Sequence, residues 1–410
     1  MKRYVIVGNG AAAAACIEGI RSRDAEGEIT VVSEEEREVY CRPLISYYLQ
    51  GKTDEERMRY RDADFYLRMG CRVLFGRRAV RLLSEDREAE LDNGTRLPYD
   101  ALCLATGSSP FVPPMEGLNT VPRRFSFMTL DDAMALEKAV DPAFRVLIIG
   151  AGLIGLKCAE GLSGRAAEIT VCDLADRVLS SILDAECAAM MQRHLERHGI
   201  RFLLSDSVSL FDGGTAMMKS GATVSFDVLV LAVGVRPNTS LLKELGGDVG
   251  RGIRVGRHME TSVPGIYAAG DCVEVEDVSS GQTKVMAILP NAVMQGRTAG
   301  SCMSGGDEVF DRGIPMNSIG FFGLHAMTAG TYEGELYEEK TEDSLKRLFT
   351  QDGLLKGFIL IGREERAGIY TSLIRERTPL ASIDFELMKK TATTAAFSVD
   401  ARVKKFGGVV

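Results

Sequence analysis

Apolar residues along this chain gather in short β-branched runs, and the most regular of these end on glycine. "RYVIVGNG" carries one run to Val7, "FRVLIIGAG" carries another to Ile149, and each leads into a small-residue stretch with helical character. A second strand follows each helix, "EITVVSE" in the first case and "AEITVCD" in the second. The pattern therefore predicts strand, turn, helix and strand twice over. Three further runs read as buried strands: "YDALCLATG" at 99–107, "VLVLAVGVRPN" at 228–238 and "TSVPGIYAAGDC" at 261–272. Towards the end, "LKRLFTQDGLLKGFILIG" predicts a hairpin turning at Asp352 and Gly353, with "AGIYTSLIRER" as the helix after it. No low-complexity linker interrupts these segments, so compact packing is expected.

Spacing turns the two early units into chemistry. The first reads Gly8-x-Gly10-x-x-Ala13 and its second strand ends at Glu34; the second reads Gly150-x-Gly152-x-x-Gly155 and ends at Asp173. In such a unit the first glycine permits a tight turn and the second lets a pyrophosphate approach the backbone. The third small residue brings helix and strand together, and the acid reaches a ribose hydroxyl. Two complete fingerprints imply two dinucleotides. A carboxylate at Asp173 would repel a ribose phosphate, so the second unit should prefer NADH to NADPH.

Composition narrows the classes. At 410 residues the chain exceeds a single core and should hold two or three domains. A net charge of −8 argues against general nucleic-acid binding and against anionic membrane surfaces. No apolar run approaches the length of a membrane span and Met1 leads straight into the first strand, so a cytoplasmic protein is expected. Nine scattered cysteines without a C-x-x-C pair read as reduced thiols. His194 and His198 lie four apart without a third ligand nearby and read as a solvated helix face, so no metal is expected.

These motifs together resemble the two-dinucleotide-binding flavoproteins of the pyridine nucleotide-disulfide oxidoreductase superfamily, over about residues 3 to 300. The resemblance implies an α/β fold: two Rossmann-like domains, one for FAD and one for NAD inserted into it, and a C-terminal α+β interface domain. The expected boundaries are 1–112 and 241–312 for FAD, 113–240 for NAD(H), and 313–410 for the interface domain, through which a homodimer is the default. By the same resemblance Asp271, after Gly270, lies on the ribityl chain of FAD. Thr106 and Gly107 close around the flavin, and Gly234 makes the close approach that ends the NADH domain.

"YCRPLISYYLQG", 40–51, asks whether electrons pass through a thiol. Neither C-x4-C nor the single-cysteine S-F-x-x-C context is present, and the redox position of the single-cysteine branch falls on Pro43. Cys41 reads as a packing residue, although Arg42 beside it leaves a reactive thiolate open. The segment resembles that of NADH:rubredoxin oxidoreductases and of the flavin module of nitrite reductases, which places Arg42 and Pro43 along FAD. Where relatives carry lysine near the flavin this chain has Tyr47, and where they carry glutamate on the second helix it has Lys157. Both are candidate flavin neighbours.

The reading is thus an FAD-dependent NADH oxidoreductase that hands electrons to a rubredoxin, a ferredoxin or another iron-sulfur protein without a redox cysteine. An NADH oxidase reducing dioxygen, mainly to peroxide, and an NADH-sensing flavoprotein with incidental turnover are the alternatives. The stretch 57–81 holds eight arginines against two aspartates and could steer a small acidic carrier, or form a solvated face with internal ion pairs. Phe321 and Phe322 read as packing residues or as a cap over a ring.

Overall fold

The computed structural model describes residues 1–363 and 366–406. The chain divides into two compact units, one of Met1–Val273 with Ala292–Val309, the other of Glu274–Asn291 with Phe310–Val410.

The first unit carries two five-stranded parallel sheets. In one, the order is Ile266–Ala268, Ala101–Leu104, Arg3–Val7, Glu28–Ser33 and Cys71–Phe75. The other runs Ile200–Leu203, Glu168–Cys172, Arg145–Ile149, Val228–Leu231 and Arg124–Phe125. Ala101–Leu104 and Val228–Leu231 are buried at every position, which is why they read as unbroken apolar runs. The two sheets repeat one hydrogen-bond set at the start of their central strands. Arg3 N–H donates to Asp100 Oδ2 and Arg145 N–H to Asp227 Oδ2, each at 2.8 Å, and each aspartate amide returns a bond to the arginine carbonyl.

Helix Ala11–Arg21 is built from small residues because another helix crosses it backbone to backbone. A Cβ at Gly296 would stand 2.1 Å from Ala12 O, and one at Gly300 would stand 2.1 Å from Cys16 O. From the other side, a Cβ at Gly19 would lie 2.4 Å from Arg297 O. Ala13, Ala15, Cys16 and Ile17 are fully buried there. Between the two sheets the chain crosses on two short antiparallel strands, Ser108–Pro110 and Val235–Pro237.

The second unit is an antiparallel sheet in the order Met316–Phe321, Leu324–Gly330, Leu354–Ile361, Leu345–Gln351 and Glu335–Lys340. Its core joins Leu348, Phe358 and Leu360 to Tyr370, Leu373 and Ile374 of helix Ala367–Arg375. The expected hairpin and helix are both present, with Asp352 and Gly353 at φ of 53° and 70°. A second turn of this kind has Phe322 at φ 47° before Gly323 at 88°. A bulky residue in that conformation is a true outlier. Residues 274–291, given to FAD by the sequence reading, group with this unit. Val278 enters its core, and Asn291 Nδ2 donates to Ile314 O at 3.1 Å.

The helix crossing sets a stability test. Gly300→Val forces a side chain into the Cys16 carbonyl, and we expect a loss of about 3 kcal/mol in urea unfolding, at the upper end for overpacking. An unchanged midpoint would contradict the crossing.

Candidate functional site: two glycine cradles and the seam between them

Each glycine loop fulfils two separate demands. Gly8 has φ 112°, and a Cβ on it would lie 2.0 Å from Ala105 O; Gly150 has φ 117° and would meet Ala232 O at 2.2 Å. Folding alone therefore requires these two glycines. Gly10 and Gly152 are different. They cap their helices with extended φ of −95° and −83°, which other residues adopt, and a Cβ on either would meet nothing within 4 Å. Protein packing does not explain them, whereas a pyrophosphate resting on the first amides of the helix would. The third positions serve packing: Ala13 is fully buried, and a Cβ at Gly155 would stand 1.9 Å from Gly150 O.

The structure brings the other sequence candidates around these loops with differing partners. Glu34 is exposed directly past the second strand. Asp173 turns back onto its own loop, accepting from Ala151 N–H at 2.6 Å and Ala175 N–H at 2.8 Å. It therefore orders the second cradle from within. Thr106 Oγ1 donates to Asn238 O at 2.7 Å, while Asn238 N–H donates to Gly107 O at 2.9 Å and its Nδ2 to Thr106 O at 2.9 Å. Asn238, four residues after Gly234, thus fixes the Thr106–Gly107 turn from the opposite crossover strand.

Asp271 is half-buried, and among the described residues no hydrogen bond or ion pair reaches its carboxylate. Burial raises its pKa, and the Arg42 charge only partly opposes this. Gly270 N–H before it donates to Gln295 Oε1 at 2.8 Å. Arg42 itself donates to Glu35 at 2.6 Å and to Met128 O at 3.1 Å, and lies over the Tyr40 ring. Pro43 is exposed in the short 3₁₀ turn that Arg42 opens. Cys41 precedes that turn, and burial raises its thiol pKa, with the Leu44 amide working the other way.

Across the seam between the two sheets, Lys157 lies with its Nζ 4.9 Å from the Tyr47 ring centre and pairs with Glu160. Five of the eight arginines in the stretch 57–81 are held in ion pairs, and among the described residues Arg72, Arg77 and Arg78 are in none. Arg57 pairs with Asp54, Arg59 with Glu38 and Glu56, Arg61 with Glu18, Arg68 with Asp62 and Asp64, and Arg81 with Glu90.

Sequence reasoning missed Asn238, Gln295, Glu35 and the pair Tyr66 and Asn9. Tyr66 OH donates to Asn9 Oδ1 at 2.6 Å and Asn9 Nδ2 to Arg37 O at 3.2 Å, which anchors the middle of the first loop. Only Asn238 had a local signal, as the residue closing "VRPN".

The family model for pyridine nucleotide-disulphide oxidoreductases matches residues 2–296, the span that contains both cradles. The chain belongs to the pyridine nucleotide-disulphide oxidoreductase family. Within it, the chain is 34% identical over 397 residues to the NADH-dependent phenylglyoxylate dehydrogenase subunit epsilon of Aromatoleum evansii, covering 93% of each protein. It is 30% identical over 400 residues to an NADH oxidase of Methanocaldococcus jannaschii, covering 89% of this chain and 88% of that one. Among solved structures, putidaredoxin reductase in its covalent complex with putidaredoxin superposes with a TM-score of 0.87 at 24% identity, over 95% of each chain. A NAD-dependent persulfide reductase from A. fulgidus gives 0.82 at 26%, over 98% of this chain and 78% of that one. Among the described residues of this oxidoreductase, no helix is long and apolar enough to cross a membrane.

Two predictions follow from the cradles. Gly10→Ala and Gly152→Ala should leave far-ultraviolet circular dichroism intact, while the first loses bound flavin and the second weakens NADH binding at least tenfold. Gly8→Ala should instead fail to fold. The second concerns pH. Because the folded state holds the Asp271 proton more tightly than the unfolded chain does, the contribution of Asp271 to the stability of the apoprotein falls as pH rises through the ordinary carboxylate range. Asp271→Asn should therefore melt above the wild-type apoprotein at pH 7, and this gain should vanish below about pH 3, where both states bind the proton.

Proposed function

We propose that this FAD-dependent NADH oxidoreductase passes its electrons to a protein one-electron acceptor, an acidic rubredoxin-like or iron-sulfur carrier, with no cysteine as an intermediate. FAD takes the first cradle: Gly8, Gly10, Ala13, Thr106, Gly107, Gly270 and Asp271, with Glu34 at the adenosine ribose and Arg42 and Pro43 alongside. NADH takes Gly150, Gly152, Gly155, Asp173 and Gly234. Bound FAD would accept a hydride and release single electrons, which is the conversion an iron-sulfur centre needs. The protein's own residues bind, orient and set charge. Asp271 suits a hydroxyl-rich partner because, among the described residues, no donor reaches its half-buried carboxylate, and the Asn238 bridge holds the Thr106–Gly107 turn.

The observation that carries the acceptor reading is the state of the thiols. Cys41 has the one cysteine position on the segment of Arg42 and Pro43, and burial disfavours its thiolate. Burial pushes the pKa of Cys71, Cys272 and Cys302 up to about 11. A thiol so disposed is a poor redox relay at neutral pH. A relative named as a subunit of an NADH-dependent dehydrogenase further supports a chain that serves a partner protein. The oxidase reading rests on the similarity to an NADH oxidase.

Anaerobic stopped-flow reduction by NADH, followed by mixing with ferredoxin, rubredoxin or air-saturated buffer, separates the two. We expect rapid bleaching of the bound flavin, rapid reoxidation by a carrier and slow reoxidation by air. Fast reoxidation by air alone would make the protein an oxidase.

A further inference from the structure

Arg375 ends helix Ala367–Arg375 of the second unit, a position from which a cation complements the helix dipole and ordinarily extends into water. This one turns inward. Its Nη2 lies 3.3 Å from Met316 Sδ, its buried Nε meets no acceptor, and among the described residues no carboxylate pairs with it. Burial lowers the pKa of the guanidinium in consequence. Met316 opens the strand Met316–Phe321 at one edge of the sheet and is itself half-buried against the core of this unit.

Stability does not account for this contact. A guanidinium carries five N–H donors and stays charged, whereas a thioether is a weak acceptor, so the desolvated cation is left under-satisfied. A leucine at 375, or a carboxylate facing the arginine, would serve the fold better. Oxidation of the sulfur reverses the balance. When the Met316 sulfur attacks hydrogen peroxide, the O–O bond breaks, an S–O bond forms, and a proton moves to the departing oxygen, which leaves as water. The sulfur is oxidised by two electrons and the peroxide reduced by two. The sulfoxide oxygen so formed is a strong acceptor within reach of the guanidinium donors.

We propose that Met316 is a site of sulfoxide formation by hydrogen peroxide and that Arg375 receives the new oxygen, tying the edge strand to the helix. A methionine sulfoxide ordinarily loosens the core around it, and here the waiting cation turns the same lesion into a fastening. The oxidant is the product of two-electron reduction of dioxygen, which a flavin left reduced in air supplies. The inference needs only the peroxide and is independent of which nucleotide each glycine cradle holds. Access separates Met316 from most other methionines: Met191, Met259 and Met388 are fully buried, whereas Met217 is 45% exposed and gauges the dose.

The experiment treats the purified full-length protein with hydrogen peroxide at the dose that oxidises Met217, then reads oxygen uptake and amide hydrogen exchange by peptide mass spectrometry. Met316 should gain one oxygen at that dose while Met388 stays unmodified. Exchange in the segments Met316–Phe321 and Ala367–Arg375 should then slow about tenfold in the wild type, the equivalent of one charge-assisted hydrogen bond. In Arg375→Leu the same oxidation should instead speed exchange in both segments, and in Met316→Leu peroxide should leave it unchanged. An unmodified Met316, faster exchange in the oxidised wild type, or the same change with and without Arg375 would overturn the proposal. Should Arg375→Leu fail to fold, the wild type set against Met316→Leu decides alone, because the slowing must appear in the first and be absent from the second.

Discussion

Both dinucleotide loops depend on a single backbone contact that no side chain can enter. The strand-ending glycine turns into the left-handed region and lies against the carbonyl of the neighbouring strand's turn, Gly8 against Ala105 and Gly150 against Ala232. This contact brings two strand ends together at the point where each helix begins. The open cap glycines, the Thr106–Gly107 turn and the Gly234 turn take their places from it. Helix Ala11–Arg21 then needs its small face, because the contact draws it over the sheet and leaves only backbone clearance for the helix above.

Much of this was legible because it is local. A strand, a turn that requires glycine and a helix that requires alanine occupy consecutive positions, so Gly8 to Ala13 and Gly150 to Gly155 state their geometry in order. The hairpin at Asp352 and Gly353 was legible for the same reason. What escaped depends on residues far apart in the chain. Gln295 is one of several polar residues in its helix until Gly270 N–H meets it, and Glu35 is one of three successive glutamates until Tyr40 and Arg42 select it. The arginine-rich stretch shows the same limit. A local count of charge omits carboxylates supplied from elsewhere, such as Glu18 for Arg61 and Glu38 for Arg59.

The repeated bond set suggests why one chain can hold two nucleotide sites with so few residues in common. Arg3 with Asp100 and Arg145 with Asp227 tie the start of each central strand to the start of its neighbour. Register is therefore set at one end of the sheet and the glycine contact is presented at the other. Sequence between the two ends is free to vary so long as it stays apolar, and the carboxylates at the second strand ends are free to differ in what they hold.

The second unit takes its residues from two stretches of chain, and the order of synthesis matters for that reason. Residues 274–291 emerge from the ribosome well before the sheet they join, whose last strand ends at Ile361. At typical elongation rates the delay is on the order of ten seconds. During that interval Val278 has no core to enter, while both halves of the first unit are nearly complete. A nascent chain of this protein must carry Val278 without its packing partners through the time when its first domain closes, so the step at risk of aggregation is built into the order of its segments.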